Sequence, residues 1–226
     1  HGAEAFAGIR TRITTCAAGR RAACLLITSA APREGKTITA TNLAISFART
    51  GSRTLLVDFD MRRPNVNAVF GLPDDGPCLL DVLGKGRTED FPVLPTATDC
   101  PNLSIIGNHA SREIRVAETM GSKIVEDFVA WARSSYERVI LDSPPFGVVS
   151  DSLVLAGMAD GVLFVNRPGV SSRHALRGAV DEFSEAGAPL LGVVVNAVNM
   201  NGVSFLSNYD YRHGRGYQSY SYPARD

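Results

Sequence analysis

Ser29-Ala30-Ala31-Pro32-Arg33-Glu34-Gly35-Lys36-Thr37 is the stretch on which the fold turns. It follows an apolar run at residues 24–28. It opens a segment of good helix formers, residues 37–50, that Gly51 closes. A Gly-Lys-Thr where a strand meets a helix is the setting of a phosphate-binding loop. Successive backbone N–H groups and the helix N-terminus present partial positive charge to phosphate oxygens. Gly35 permits close backbone approach. Lys36 can reach the β- and γ-phosphates, and the Thr37 hydroxyl can ligate Mg²⁺. Ala30 stands where the generic pattern has its first glycine.

Working outward, short apolar runs recur at residues 54–57, 103–106, 139–141, 162–165 and 190–195. Most are continuous rather than alternating, as in strands covered on both faces. Helical patterns lie between them. Residues 37–50 carry Ile38, Leu43, Ile45 and Phe47. Residues 117–136 carry Met120, Ile124, Phe128 and Trp131 as one stripe. Residues 172–186 carry Leu176, Ala179, Val180 and Phe183, with Ser171 or Ser172 as cap and Gly187 as stop. The alternation predicts an α/β fold with a doubly wound, mostly parallel sheet flanked by helices. Residues 64–102 are rich in Gly, Pro and Asp. They predict loops and small helices, one of them near residues 79–83.

Two strands end in carboxylates. Asp58 and Asp60 follow Leu55-Leu56-Val57, and Asp142 follows Val139-Ile140-Leu141 before Ser143-Pro144-Pro145. In a parallel sheet the strand C-termini share the edge that holds the phosphate loop. Three carboxylates are thus expected near a bound triphosphate, where Mg²⁺ and a base for the acceptor hydroxyl are needed.

Composition sets limits. The chain has 226 residues, 45% of them hydrophobic, enough for one large α/β domain. Net charge is zero, which argues against nucleic acid as a partner. Lys36, Lys85 and Lys123 are the only lysines, so Lys36 stands out. Cys16, Cys24, Cys78 and Cys100 form no C-x-x-C pair and have no zinc spacing. Cys24 lies in an apolar run and reads as core, and a reducing cytosol suits the set. No stretch is apolar enough to span a bilayer, and no signal peptide is visible. The chain begins at His1 rather than methionine, which leaves room for a membrane-spanning part upstream.

These motifs resemble the bacterial tyrosine kinases, the autokinases associated with polysaccharide co-polymerases. The resemblance covers nearly the whole chain. The family's E-A-F segment ending in R-T corresponds to Glu4-Ala5-Phe6 and Arg10-Thr11. Its S-x-x-x-x-E-G-K-[ST] loop corresponds to Ser29 through Thr37, with no glycine required at Ala30. D-x-D-x-R-x-P corresponds to Asp58, Asp60, Arg62 and Pro64, and D-[TS]-P-P to Asp142 through Pro145. The later A-D-G-V-L-x-V and L-G-V-V-x-N runs correspond to residues 159–165 and 191–196.

The resemblance implies a P-loop NTPase fold of the partition-ATPase kind, with ATP and Mg²⁺ as cofactors. Arg33, Glu34, Gly35, Lys36, Thr37, Ile38 and Asn196 would bind the nucleotide, Asn196 near the adenine. Thr37, Asp60 and Asp142 would position the metal. Lys36, Asp58, Asp60 and Asp142 would carry catalysis, with Asp58 assisting Mg²⁺ or drawing the proton from an incoming tyrosine. Glu4 and Arg10 would belong to an oligomerisation helix whose middle Arg is Ala7 here. The segment 107–119 departs from the family pattern. The implied role is control of exopolysaccharide or capsule synthesis at the cytoplasmic face of the bacterial inner membrane. A membrane-anchored activator, separate or fused, would be the partner.

After Val198 the composition changes. Residues 1–198 read as the P-loop domain and residues 199–226 as a flexible, Gly-, Ser-, Asn- and Tyr-rich tail. Five of the six tyrosines lie there: Tyr209, Tyr211, Tyr217, Tyr220 and Tyr222. They are expected to be the autophosphorylation sites. Tyr136 reads as structural. Phosphate on several of them would repel a carboxylate-rich site and release the tail.

Two other readings compete. One is a partition- or division-site-type ATPase switch. Its second signature lysine would fall at Ala31, and its glycines at Pro32 and Arg33. The other is a nucleotide-gated interaction module without turnover, against which the intact lysine, threonine and aspartates argue.

Overall fold

A computed structural model describes residues 2–16, 23–73, 78–109 and 115–198. The chain divides into two compact units, His1–Asn196 and Ala197–Asp226. Every element named below belongs to the first. The five tail tyrosines lie outside the described residues.

The core of the fold is a sheet in the order β3-β4-β2-β5-β1-β6-β7. The strands are β1 (Cys24–Ser29), β2 (Thr54–Asp58), β3 (Thr96–Ala97), β4 (Leu103–Ile106), β5 (Arg138–Asp142), β6 (Gly161–Asn166) and β7 (Leu190–Val195). All neighbours pair in parallel except β3, a two-residue antiparallel edge on β4 that the sequence pattern did not foreshadow. The continuous apolar runs are explained by two cores, one on each face. Cys24, Leu26, Leu55, Val57, Val139, Leu141, Val162 and Phe164 point into one. Leu25, Ile27, Leu56, Ile140, Leu163 and Val165 point into the other. Period-two alternation thus persists, but both sets are apolar because both faces are covered.

The first face is covered by α5 (Arg115–Met120), α6 (Lys123–Ser135), α7 (Asp151–Ala156) and α8 (Arg173–Glu185). The second is covered by α1 (Gly2–Cys16) and α2 (Lys36–Ala48). α3 (Val66–Phe70), α4 (Leu79–Lys85) and a 3₁₀ turn (Thr88–Val93) occupy the segment expected to hold loops and small helices. Ser172 caps α8 by accepting the Ala175 N–H, one of the two serines expected to do so. Cys24 is buried, and burial pushes its thiol up to about 12, so it is an inert core group. Tyr136 ends α6 and packs edge-on against Trp131, as the structural reading requires.

One helical expectation needs correction. The stripe through residues 117–136 is two helices, α5 and α6, broken at Gly121 and Ser122. Ser122 adopts an extended conformation (φ −92°, ψ 154°), and its N–H returns to Thr119 O. Gly121 and Ser122 are poor helix-interior residues, and the break lets both pieces reach the core. Ile38, expected beside the nucleotide, is 49% exposed at the helix mouth. The buried face of α2 is Thr39, Ala40, Leu43, Ala44 and Phe47.

Candidate active site

The phosphate loop joins β1 to α2 along the C-terminal edge of the sheet. Two of its residues have left-handed backbone, Arg33 (φ 65°) and Gly35 (φ 95°). Arg33 sits where the related ATPase switches have glycine, and a side chain there costs about 1–2 kcal/mol in strain. Alternating left- and right-handed residues turn consecutive N–H groups toward one point, the geometry of an anion nest. α2 then starts at Lys36 with no side chain capping it, so its first N–H groups are left for an anion.

Asp58 and Asp142 are register partners on adjacent parallel strands, so both reach the same edge. Both are fully buried. Lys36 and Asp60 are nearly so, at 8% and 9% exposed. The sequence expected this gathering, and the sheet register produces it.

The three carboxylates have different surroundings. Asp58 accepts three backbone N–H groups: Asp60 at 3.0 Å, Asn65 at 2.8 Å and Val66 at 2.9 Å. It shapes the turn that carries Asp60 and Arg62 and leads into α3. Burial still raises its pKa to about 6 against these bonds, and the neighbouring Asp60 adds to the rise. Asp60 accepts the Arg63 N–H at 3.0 Å. Burial raises its pKa, while the Arg63 N–H, Lys36 and the Arg62 N–H pull the other way.

Asp142 is the exception. Neither carboxylate oxygen completes a hydrogen bond, although Thr37 and Lys36 lie close enough to favour its charge. Burial first, and then the Asp58 charge, push its pKa well above the ordinary carboxylate range. A buried carboxylate without donors calls for a proton or a cation. Among the described residues no three His, Cys, Asp or Glu side chains are gathered closely enough to hold a metal by themselves. Mg²⁺ takes one or two carboxylates plus phosphate oxygens and keeps several waters. The donor set Thr37, Asp60 and Asp142 therefore fits Mg²⁺ brought with a nucleotide.

The segment after Asp142 is fastened to the phosphate loop. The Ser143 hydroxyl donates to Ile27 O, and that of Thr28 to Pro144 O. The N–H groups of Phe146 and Gly147 donate to Ser29 O and Ala30 O at 2.8 and 3.2 Å. A Cβ on Gly147 would lie 2.5 Å from Ala30 O, so only glycine fits.

Glu34 departs from its expected role as a phosphate neighbour. Its side chain is fully buried and points away from the nest toward the end of β6, so only its backbone faces the phosphate side. Asn196 lies under the loop, donating from Nδ2 to Glu34 O at 2.9 Å. Arg33 and Ile38 are exposed at the loop. Arg10 donates to Ser46 O at 2.7 Å and to Ser46 Oγ at 3.1 Å, so part of its guanidinium docks α1 onto α2 within the chain. Glu4 is exposed on α1.

The sequence reading did not single out Asp151. It is buried in the first turn of α7, and its Oδ2 lies 3.7 Å from Arg62 Nε. Burial raises its pKa, opposed by Arg62. Its only sequence signal was a Ser-Asp pair opening a short apolar run.

The AAA domain family matches residues 33–182, from the phosphate loop into α8. Tyrosine-protein kinase YwqD of Bacillus subtilis is 31% identical over 208 residues, covering 91% of this chain and 85% of that protein. Tyrosine-protein kinase wzc of Salmonella typhimurium is 28% identical over 97% of this chain, which spans 28% of that longer protein. Among solved structures, the chimerical protein CapA2B2 superposes with a TM-score of 0.79 at 28% identity, covering 86% of this chain and 84% of that one. The septum site-determining protein MinD of Pyrococcus horikoshii, complexed with Mg-ADP, shares the fold at a TM-score of 0.66 and 20% identity, covering 82% and 75%. With its phosphate loop, its paired strand-end aspartates and a relative of this identity matched over nearly the whole chain, the protein belongs to the bacterial tyrosine-protein kinases.

Proposed function

We propose that the chain transfers the γ-phosphoryl group of Mg·ATP to tyrosine hydroxyls, chiefly Tyr209, Tyr211, Tyr217, Tyr220 and Tyr222 of a neighbouring copy. The observation that carries this is Asp142: two buried, unpartnered carboxylate oxygens beside Thr37 and Lys36, at the mouth of an uncapped helix. Mg²⁺, held by Thr37, Asp60 and Asp142, would neutralise phosphate charge.

The chain's own groups supply the rest. The N–H groups of residues 33–38 cradle the phosphates, and Lys36 offsets charge that develops on the transferring group. Asp142 and Asp60 hold the metal together with Thr37, directly or through water. Asp58 spends three acceptor positions on backbone N–H groups, so it orients the Asp60 turn. A remaining lone pair on Oδ1 can still draw the tyrosine proton. Arg62, steered by Asp151, is placed to meet phosphate oxygens. Asn196 braces the loop through the Glu34 carbonyl.

No helix among the described residues is long and apolar enough to cross a membrane. The relatives include proteins several times longer, wzc and the succinoglycan biosynthesis transport protein ExoP of Rhizobium meliloti. We therefore place the chain at the cytoplasmic face of the inner membrane, acting with a membrane-anchored co-polymerase segment to control polysaccharide synthesis and export. Glu4 and Arg10 on α1 and the tail would contribute to self-association.

Incubation of the purified chain with ATP and Mg²⁺, followed by mass spectrometry beside a Lys36→Met control, tests the assignment. Phosphotyrosine on residues 209–222 in the unaltered chain alone is expected. Equal phosphate in both proteins would assign it to another kinase. ATP turnover with no phosphotyrosine, with or without the activator segment, would favour the ATPase-switch reading.

A further inference from the structure

The phosphate loop carries a buried carboxyl group that phosphoryl transfer does not use. Glu34 has no exposed surface, and among the described residues no Lys or Arg pairs with it. Neutral donors surround it. Oε2 accepts the Ala31 N–H at 2.7 Å. Oε1 accepts the Ser171 hydroxyl at 2.6 Å, Asn166 Nδ2 at 3.1 Å and the Arg167 N–H at 3.2 Å. Asn166 Nδ2 also donates to Ser171 Oγ at 2.9 Å, closing a small ring. An ionised carboxylate is tolerated in such a place only when donors surround it.

Glu34 stands between the two left-handed residues of the loop, Arg33 and Gly35. Such backbone persists only where its surroundings over-determine it. On one side Glu34 bonds back to Ala31 and closes the turn. On the other it grips the Asn166–Ser171 segment, more than 130 residues away in sequence, where β6 gives way to α8. Asn196, at the end of β7, holds the Glu34 carbonyl from below. It fills the space beside Gly35 so closely that a Cβ there would lie 2.0 Å from Nδ2.

We propose that Glu34 and Ser171 are positioning residues for phosphate binding: the hydrogen bond between them fastens the strained nest to the segment after β6 and sets the aim of its N–H groups. The inference rests on the reading of this loop as the phosphate cradle. Its chemistry is indirect, since neither side chain touches phosphate. What they fix is the shape that β- and γ-phosphates require.

The test measures ADP and AMP affinity, ATP KM and kcat, and melting temperature for the full chain, with Glu34→Gln, Ser171→Ala and Ser171→Thr variants. AMP has no β-phosphate to seat in the nest. Glu34→Gln and Ser171→Ala are expected to weaken ADP at least tenfold and leave AMP within twofold. KM should rise by more than kcat falls. Ser171→Thr keeps the hydroxyl and should bind ADP like the unaltered chain. Combining Glu34→Gln with Ser171→Ala should add little, because both break one network. Lowered melting temperatures with ADP affinity and KM within twofold of the unaltered chain would overturn the proposal, showing a brace of the fold alone. If Glu34→Gln does not fold, the Ser171 pair decides by the same readouts. Failure of the unaltered chain to bind ADP would overturn both this inference and the kinase reading. Binding and turnover without phosphotyrosine would remove only the latter.

Discussion

A buried carboxylate whose oxygens complete no hydrogen bond among the described residues, as at Asp142, costs folding free energy in the absence of ligand. Asp142→Asn is therefore expected to raise the melting temperature of the nucleotide-free chain, by about 1–3 kcal/mol of stability, or roughly 2–4 °C per kcal/mol at this size. The same change should lower Mg²⁺-dependent turnover by about 100-fold or more. Differential scanning fluorimetry beside an ATP turnover assay reads both, and a variant less stable than its parent would contradict the account. The sign also governs pH. Asp58 binds its proton more tightly folded, at about 6, than at its ordinary 3.8. The folded state then holds more protons across that interval, and the ligand-free chain loses stability as pH rises from about 4 to about 6. Mg·ADP favours the ionised carboxylates, so the melting-temperature gain it confers should grow over the same range. A gain independent of pH would tell against metal at these groups. Lys36, Thr37, Asp58, Asp60 and Asp142 were legible in sequence because each sits in a local motif. The Glu34 partners were not. Asn166 and Ser171 are 132 and 137 residues away, and no local pattern announces a contact made by sheet topology.

Between elements, the decisive contacts join the phosphate loop to the turn after β5. Gly147 has no room for a side chain against Ala30 O, so Gly147→Ala must push the two segments apart. It is expected to weaken ADP binding about tenfold or more, as misplaced binding groups do, with a smaller change in melting temperature. Titration of ADP by calorimetry checks it, and unaltered affinity would show the two segments to be independent. Six of the seven strands were readable to within a residue because their apolar runs are unbroken, although β7 leaves Val193 and Val195 exposed. The break at Gly121 and Ser122 was hidden by a stripe that continues in register across it. Ile38 lies exposed beside Thr37, where α2 begins. α7 and β3 are too short to impose a period on the sequence.

For the molecule as a whole, the proposed transfer to tail tyrosines of another copy has a direct test. A tagged Lys36→Met chain mixed with the unaltered chain and ATP should acquire phosphate on residues 209–222. Label confined to the unaltered chain would indicate transfer within one chain. Docking of α1 is a separate property: Phe6, Ile9 and Ile13 pack on the core below α2, and Arg10 bonds Ser46. The central claim is that Lys36, Thr37, Asp60 and Asp142 gather about one metal-bound triphosphate. A crystal grown with Mn²⁺ in place of Mg²⁺ and a non-hydrolysable ATP analogue tests it most directly. An anomalous peak about 2.1 Å from the Thr37 hydroxyl and from a phosphate oxygen, with Asp142 bonded to the metal or to one of its waters, is the predicted result. A peak elsewhere, or a nucleotide bound with no metal near Asp142, would contradict it.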